Sequence, residues 1–244
     1  MKALRWWIVG TIGAVLLIAG AFLLYAMLRG RPQDLPWTPL DLAEPVGMFT
    51  GRKLAGLTHD FPRCQALLNR AGVRYTLLPE LSDGDHCGYA DGVRFAAGGP
   101  RRIDFLPADL KIACPVAAAL TLWEWNVVQP AAIRYFGKPV SAIEHYGSYS
   151  CRHIVGKGGE GWSQHSTADA IDISAFRLSD ATRITVKQDW KGGDPAKQAF
   201  LREVRSGGCR LFTIVLSPDY NAAHADHLHM DQSPRGEFGW RGCW

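Results

Sequence analysis

Three of the chain's eight histidines fall within the segment His224-Ala225-Asp226-His227-Leu228-His229-Met230-Asp231. As a strand, this segment puts His227, His229 and Asp231 on one face and turns Leu228 and Met230 toward a core. Two imidazoles at that spacing can converge on one ion or one substrate. A second segment, Ser163-Gln164-His165-Ser166-Thr167-Ala168-Asp169-Ala170-Ile171-Asp172-Ile173-Ser174, carries His165 upstream of Asp172. A strand over 168–174 aligns Ala168, Ala170 and Asp172 on one face and buries Ile171 and Ile173 behind it. The small residues leave space above Asp172, and the loop bearing His165 can fold over it. Alone, this second segment reads first as a hydrogen-bonded His and Asp pair. Together the two segments supply a His, an Asp and a further His, a nitrogen and oxygen set that leaves a fourth zinc position open. Calcium and magnesium prefer all-oxygen shells, so imidazole ligands point to one Zn2+ or a similar transition ion. The His-x-His-x-Asp-His pattern of the metallo-β-lactamases is absent.

Thiolate ligands are not expected. The six cysteines (Cys64, Cys87, Cys114, Cys151, Cys209, Cys243) are scattered, with no pair at zinc-knuckle or thioredoxin spacing. An even, scattered set behind an export segment reads as three disulfides formed in an oxidising compartment. The pairing expected here is Cys64 with Cys87, Cys151 with Cys209 and Cys114 with Cys243.

The elements that must position these residues begin with an apolar segment. No charge interrupts the chain from Trp6 to Leu28, and a helix of that length, at about 1.5 Å per residue, crosses a hydrocarbon core of about 30 Å. The run ends Tyr25-Ala26-Met27-Leu28-Arg29 with no Ala-x-Ala site there and is longer than a signal-peptide core, so an uncleaved anchor over 1–31 is favoured over a cleaved signal. With the cysteines beyond it, the globular part is expected in the periplasm of a bacterial cell, tethered to the inner membrane. Pro32, Pro36, Pro39 and Pro45 then read as an extended, Pro-rich linker over 32–47.

From 48 to 244 the pattern is that of an α+β domain. Helices are expected from Pro62 to Ala71, capped by Asp60 and stopped by Gly72, from Pro115 with Val116, Leu120, Trp123 and Val127 on one stripe, and from Asp194-Pro195 to Gly207-Gly208. Pro130 should kink or end the second of these, and Gly137 should close it. Strands are expected over 73–78 and near 139–145, 168–174, 183–187, 210–216 and 227–231. Helices and strands do not alternate, which predicts a mainly antiparallel sheet flanked by helices.

Composition excludes other classes. The chain has 244 residues, 47% hydrophobic and 20% charged, with no biased run, so it is neither disordered nor fibrous. Of its +4 net charge, all is carried by Lys2, Arg5, Arg29 and Arg31, and the remainder is neutral. Nucleic acid is therefore not an expected partner.

The Ser163–Ser174 segment resembles the Ser-x-His-x-x-Gly-x-Ala-x-Asp signature of the D-Ala-D-Ala metallopeptidases, matched at Ser163, His165, Ala170 and Asp172, with Ala168 where that signature has Gly. The His224–Asp231 segment resembles the His-x-x-His-x-His of the penicillin-insensitive murein endopeptidases, matched at His224, His227 and His229. Residues 114–231, from Cys114-Pro115-Val116 through Gly147-Ser148-Tyr149-Ser150-Cys151-Arg152 to Tyr220-Asn221-Ala222-Ala223-His224, look like the bacterial extensin-like carboxy-terminal domain family. With 14 prolines and no Ser-Pro-Pro-Pro repeat, the chain shares nothing with plant extensin beyond that name.

The resemblance implies zinc bound by His165, Asp172 and His229. It also implies that His227, with His224, assists catalysis, and that Arg152 and Ser163 meet the substrate. The expected activity is hydrolysis of amide bonds in peptidoglycan stem peptides or cross-links, as a D,D-carboxypeptidase or endopeptidase. A non-catalytic, zinc-stabilised cell-wall binding or scaffolding domain is the alternative.

Overall fold

The computed structural model describes residues 2–154, 161–233, 235 and 240–244. The chain opens with α1 (Lys2–Arg29), then passes through α2 (Thr50–Ala55) and α3 (Phe61–Arg70) into five short strands. These are β1 (Tyr75–Leu77), β2 (Leu81–Ser82), β3 (Gly88–Tyr89), β4 (Gly92–Phe95) and β5 (Asp104–Leu106). Next come β6 (Ile112–Ala113), α4 (Cys114–Trp123), α5 (Gln129–Phe136), β7 (Val140–Gly147) and β8 (Ala170–Leu178). The chain closes with β9 (Arg183–Thr185), α6 (Val186–Asp189), α7 (Pro195–Gly208), β10 (Ile214–Leu216), β11 (Leu228–Asp231) and β12 (Gly242–Cys243).

The fold is α+β. Its main sheet runs β12-β10-β11-β8-β7-β5, with β9 also paired to β8. The centre is antiparallel, whereas the outer pairs β10–β12 and β5–β7 are parallel. A three-stranded sheet β1-β4-β6 and the hairpin β2-β3 stand apart from it.

Local chemistry accounts for the helices. Asp60 caps α3 by accepting from the Arg63 N–H, and Asp194 caps α7 by accepting from Ala196 N–H. All ten residues of α4 are buried, so this helix threads the interior rather than presenting the single stripe expected of it. Pro130 neither ends nor sharply kinks the run. A wide π turn over Glu124–Val128 absorbs its missing N–H, and α5 continues to Gly137, whose left-handed φ of 65° closes the helix. The Trp123 indole donates to Val204 O at 2.8 Å and its ring meets Phe176, which packs edge-on against Phe200, locking α4, α7 and β8 together.

Two expectations are corrected. The disulfides are Cys64–Cys114, Cys87–Cys151 and Cys209–Cys243; none of the three expected pairs forms. The partners are set by packing rather than by chain order: α3 lies on the start of α4, the β2-β3 hairpin lies beside the loop after β7, and the end of α7 lies beside β12. Nor is 32–47 an extended spacer. Leu40 and Leu42 are each 2% exposed within the core, Gln33 donates to Pro39 O, and Lys53 reaches back to Gln33 Oε1 at 3.1 Å. Each buried leucine contributes about 1.5–3 kcal/mol, so this strap is part of the folded body.

The apolar helix is present. Arg5–Tyr25 of α1 is long and apolar enough to cross a membrane and lies wholly outside the packed domain; it could be a membrane span or a signal sequence.

Candidate metal centre

Strand alternation builds the floor of the site. Ile171 and Ile173 of β8, with Leu228 and Met230 of β11, join the hydrophobic core. Asp172 and His229 face the other way as a directly opposed antiparallel pair. The opposing side chains of such a pair lie close enough to share one ligand.

His165 arrives from a different element, a 3-10 turn over Gln164–Thr167. Ser163 caps that turn, its hydroxyl accepting from the His165 N–H at 3.3 Å, so Ser163 positions His165. The turn ends at Ala168, which is fully buried with φ 58° and ψ 15°. This is the left-handed conformation that glycine adopts most easily, and it is the position at which the resembled signature carries Gly. The Ala168 carbonyl accepts from Ala113 N–H and from the Ser148 hydroxyl, which fixes the turn over β8.

Three acceptors converge here. His165 Nδ1 lies 2.6 Å from Ser148 O, so Nδ1 carries the proton and Nε2 offers its lone pair inward. His229 Nε2 is 3.5 Å from Asp231 Oδ2, which leaves Nδ1 facing the cluster. The inward atoms stand 3.2 Å apart for the two histidines, 3.2 Å for His165 Nε2 and Asp172 Oδ2, and 2.9 Å for His229 Nδ1 and Asp172 Oδ1. With one ligand atom taken from each of His165, Asp172 and His229, all three lie within 4.8 Å of one another. Such a nitrogen and oxygen donor set could hold one transition-metal ion such as zinc.

The electrostatics agree with that donor set. Burial pushes the Asp172 carboxyl up, but hydrogen bonds and charge from His165 and His229 outweigh it and hold the group well below the usual carboxylate range. Burial likewise opposes the charged form of His229, yet Asp172 and Asp231 push it up to about 9. The pocket therefore stabilises positive charge at its centre.

The remaining histidines line the rim. His227 Nδ1 is 3.0 Å from Asp226 Oδ1, and its Nε2 is 3.5 Å from Asp172 Oδ1. Asp226 thus holds the Nδ1 proton and points a basic Nε2 at the cluster. The Tyr146 hydroxyl donates to the other Asp226 oxygen at 3.4 Å, and its ring meets His227 edge-on. His224 Nδ1 lies 2.7 Å from Asn221 Oδ1, with its ring beside both His227 and His229. Burial, then the neighbouring His229 and His227, push His224 down to about 4; Arg152 contributes to that shift, which places its charge near the rim. The Arg152 carbonyl accepts from Ser163 N–H at 3.1 Å, and the Cys87–Cys151 disulfide ties this loop to the β2-β3 hairpin.

All of the expected ligand and catalytic histidines therefore meet in one cup with Asp172. Sequence reasoning placed Asp231 on the histidine face but gave it no role, and missed the other groups that hold the histidines: the Ser148 carbonyl, Asp226, Asn221 and Tyr146. Asp226 and Asp231 flank the histidines in the chain and offered a signal, whereas a backbone carbonyl offers none. The other histidines are structural or exposed. His86 and His153, for example, both stack on Trp162.

A family model described as "Extensin-like protein C-terminus" matches residues 62–243. The chain belongs to this family. The matched region runs from α3 through β12 and includes every cysteine and every residue of the histidine cup. No curated protein matches the chain, and no solved structure does.

Proposed function

We propose that this extensin-like domain is a zinc-dependent peptidase that hydrolyses amide bonds in peptidoglycan peptides. In this reading α1 anchors it in the bacterial inner membrane, with the domain in the periplasm. The observation that carries the proposal is the convergence of one donor atom each from His165, Asp172 and His229 within 4.8 Å of one another, beside a further, carboxylate-oriented histidine.

Bound zinc supplies Lewis-acid polarisation of a carbonyl and makes water a stronger acid, so no protein nucleophile is required. His165, Asp172 and His229 hold the ion. His227 Nε2 takes a proton from the attacking water and delivers it to the leaving amine, while Asp226 keeps Nδ1 protonated and the ring aligned. His224, neutral near pH 7 because its pKa is pushed down to about 4, lines the rim without adding charge to the cluster. Arg152 offers its guanidinium to a peptide carboxylate. Three disulfides suit an oxidising compartment.

The test is metal content. Full-length protein in detergent should carry about one zinc per chain by elemental analysis, and His229→Ala should carry almost none while retaining its disulfides and circular dichroism. Equal zinc in the folded variant would sink the assignment.

A further inference from the structure

We infer that a strip of exposed aromatic rings leading into the histidine cup is a carbohydrate subsite that seats the glycan strand of the substrate. The inference rests on the cell-wall reading above and names the part of the polymer that the domain grips. Trp240, Tyr220 and Trp244 are 56%, 47% and 39% exposed. Trp240 and Trp244 lie 5.6 Å apart between ring centroids, Trp244 and Tyr220 5.5 Å, and Tyr220 and His224 5.6 Å. His224 in turn stands 5.2 Å from His227. Each ring hands on to the next, from the surface to the rim of the metal centre.

The strip is built on fixed backbone. β12 pairs in parallel with β10, and Trp244 N–H donates to Val215 O at 3.0 Å. The Ser217 hydroxyl donates to Trp244 O at 2.6 Å, and Cys209–Cys243 fastens the strand to the end of α7. The Trp244 ring sits where a side chain on Gly242 would have to be. Rings held this firmly while still exposed forgo burial that a core would offer them, a mark of a contact surface.

The chemistry of the strip selects among partners. Flat aromatic faces take the apolar C–H faces of pyranose rings and leave sugar hydroxyls free at the edges. Successive rings suit an extended chain of sugars better than one compact ligand. The neighbouring carboxylates are already engaged, Asp219 by Trp190 Nε1 and Arg202 and Asp226 by His227 and Tyr146, so the ring faces carry the contact.

Calorimetric titration of the full chain in detergent with peptide-free peptidoglycan glycan strands, and with a β-1,4 N-acetylglucosamine tetramer, tests this. Saturable binding is expected in the wild type and also in Asp172→Asn, since gripping the glycan needs no hydrolysis. Failure of the peptidase reading and failure of the subsite are thereby separated. Trp240→Ala and Tyr220→Ala should each weaken binding about two- to tenfold, and Trp240→Phe should restore most of it. No saturable binding by the folded protein, or wild-type affinity in both alanine variants, would overturn the subsite. A wild-type dimer in detergent that dissociates on Trp240→Ala would instead assign the strip to a second copy of the chain.

Discussion

Two polar clusters are buried to a similar degree in this domain, one a pair of opposite charges and the other histidines gathered about a carboxylate. Around the π turn, Arg101 and Glu124 have side chains 6% and 4% exposed, with Nε 3.1 Å from Oε2 as an ion pair outside hydrogen-bond geometry. The other carboxylate oxygen accepts from the N–H groups of Arg102 and Ile103, the guanidinium donates to Ile103 O, and the Phe95 ring lies 3.7 Å beneath it. Opposite charges hold this pair together, while Arg101 Nε and Glu124 Oε2 are left without a hydrogen-bond partner. In the histidine cup the balance differs: two imidazole nitrogens and a carboxylate face one another within 3.2 Å, and Asp172 with Asp231 holds a proton on His229. Surplus acceptors at such separations repel unless a proton or a cation lies among them. The comparison separates a buried cluster that braces the fold from one shaped for a ligand.

Swapping the damage sharpens this contrast most. Glu124→Ala strands the Arg101 guanidinium and should cost about 3–5 kcal/mol in urea unfolding while leaving zinc stoichiometry unchanged. Asp172→Ala should do the reverse, losing zinc with a smaller change in the stability of the metal-free protein. Equal stability losses in the two variants would erase the distinction.

A step smaller, Asp231→Asn weakens the acceptor behind His229 Nε2 and should lower zinc affinity about ten- to a hundredfold, read by competition with a chromogenic chelator. Unchanged affinity would mean that Asp231 does not orient the ligand.

The next effect is a pH dependence outside the ligand set. Burial, with Asp91 and Asp231 nearby, pushes the Asp169 carboxyl up to about 7 against the lowering effect of the Thr167 hydroxyl. The folded state then holds a proton that the unfolded chain releases near pH 4. Stability from this group is fully present below about pH 4 and is lost as the pH rises toward 7. Asp169→Asn should flatten that fall in urea midpoints between about pH 4 and 7; a slope identical to wild type would contradict it.

Smallest is Ala168→Gly, which relieves the left-handed backbone in the turn behind His165 and should raise stability by about 0.5–1 kcal/mol in urea unfolding, with zinc affinity unchanged. A loss of stability would show that the turn is not strained.

Much of this site was legible in the chain because strand alternation and motif spacing are local. Asp172, His227 and His229 announce their shared face through the intervening Ile171, Ile173, Leu228 and Met230. The caps at Asp60 and Asp194 were readable for the same reason. What escaped is non-local. Chain order says nothing of which cysteines meet, because Cys64 finds Cys114 only after α3 packs on α4. The prolines of 32–47 suggested a spacer, while Leu40 and Leu42, set among apolar residues with no regular period, gave too weak a pattern to reveal burial. Ser148 serves His165 through its main-chain carbonyl, an interaction that any residue type could make.

The most direct measurement is mass spectrometry of peptidoglycan fragments incubated with the zinc-loaded full chain, beside a chelator-treated sample and His227→Ala. The account predicts new peptide termini that require zinc and vanish in His227→Ala, although that variant still binds the metal. Intact fragments after incubation with folded, fully zinc-loaded wild type would contradict it.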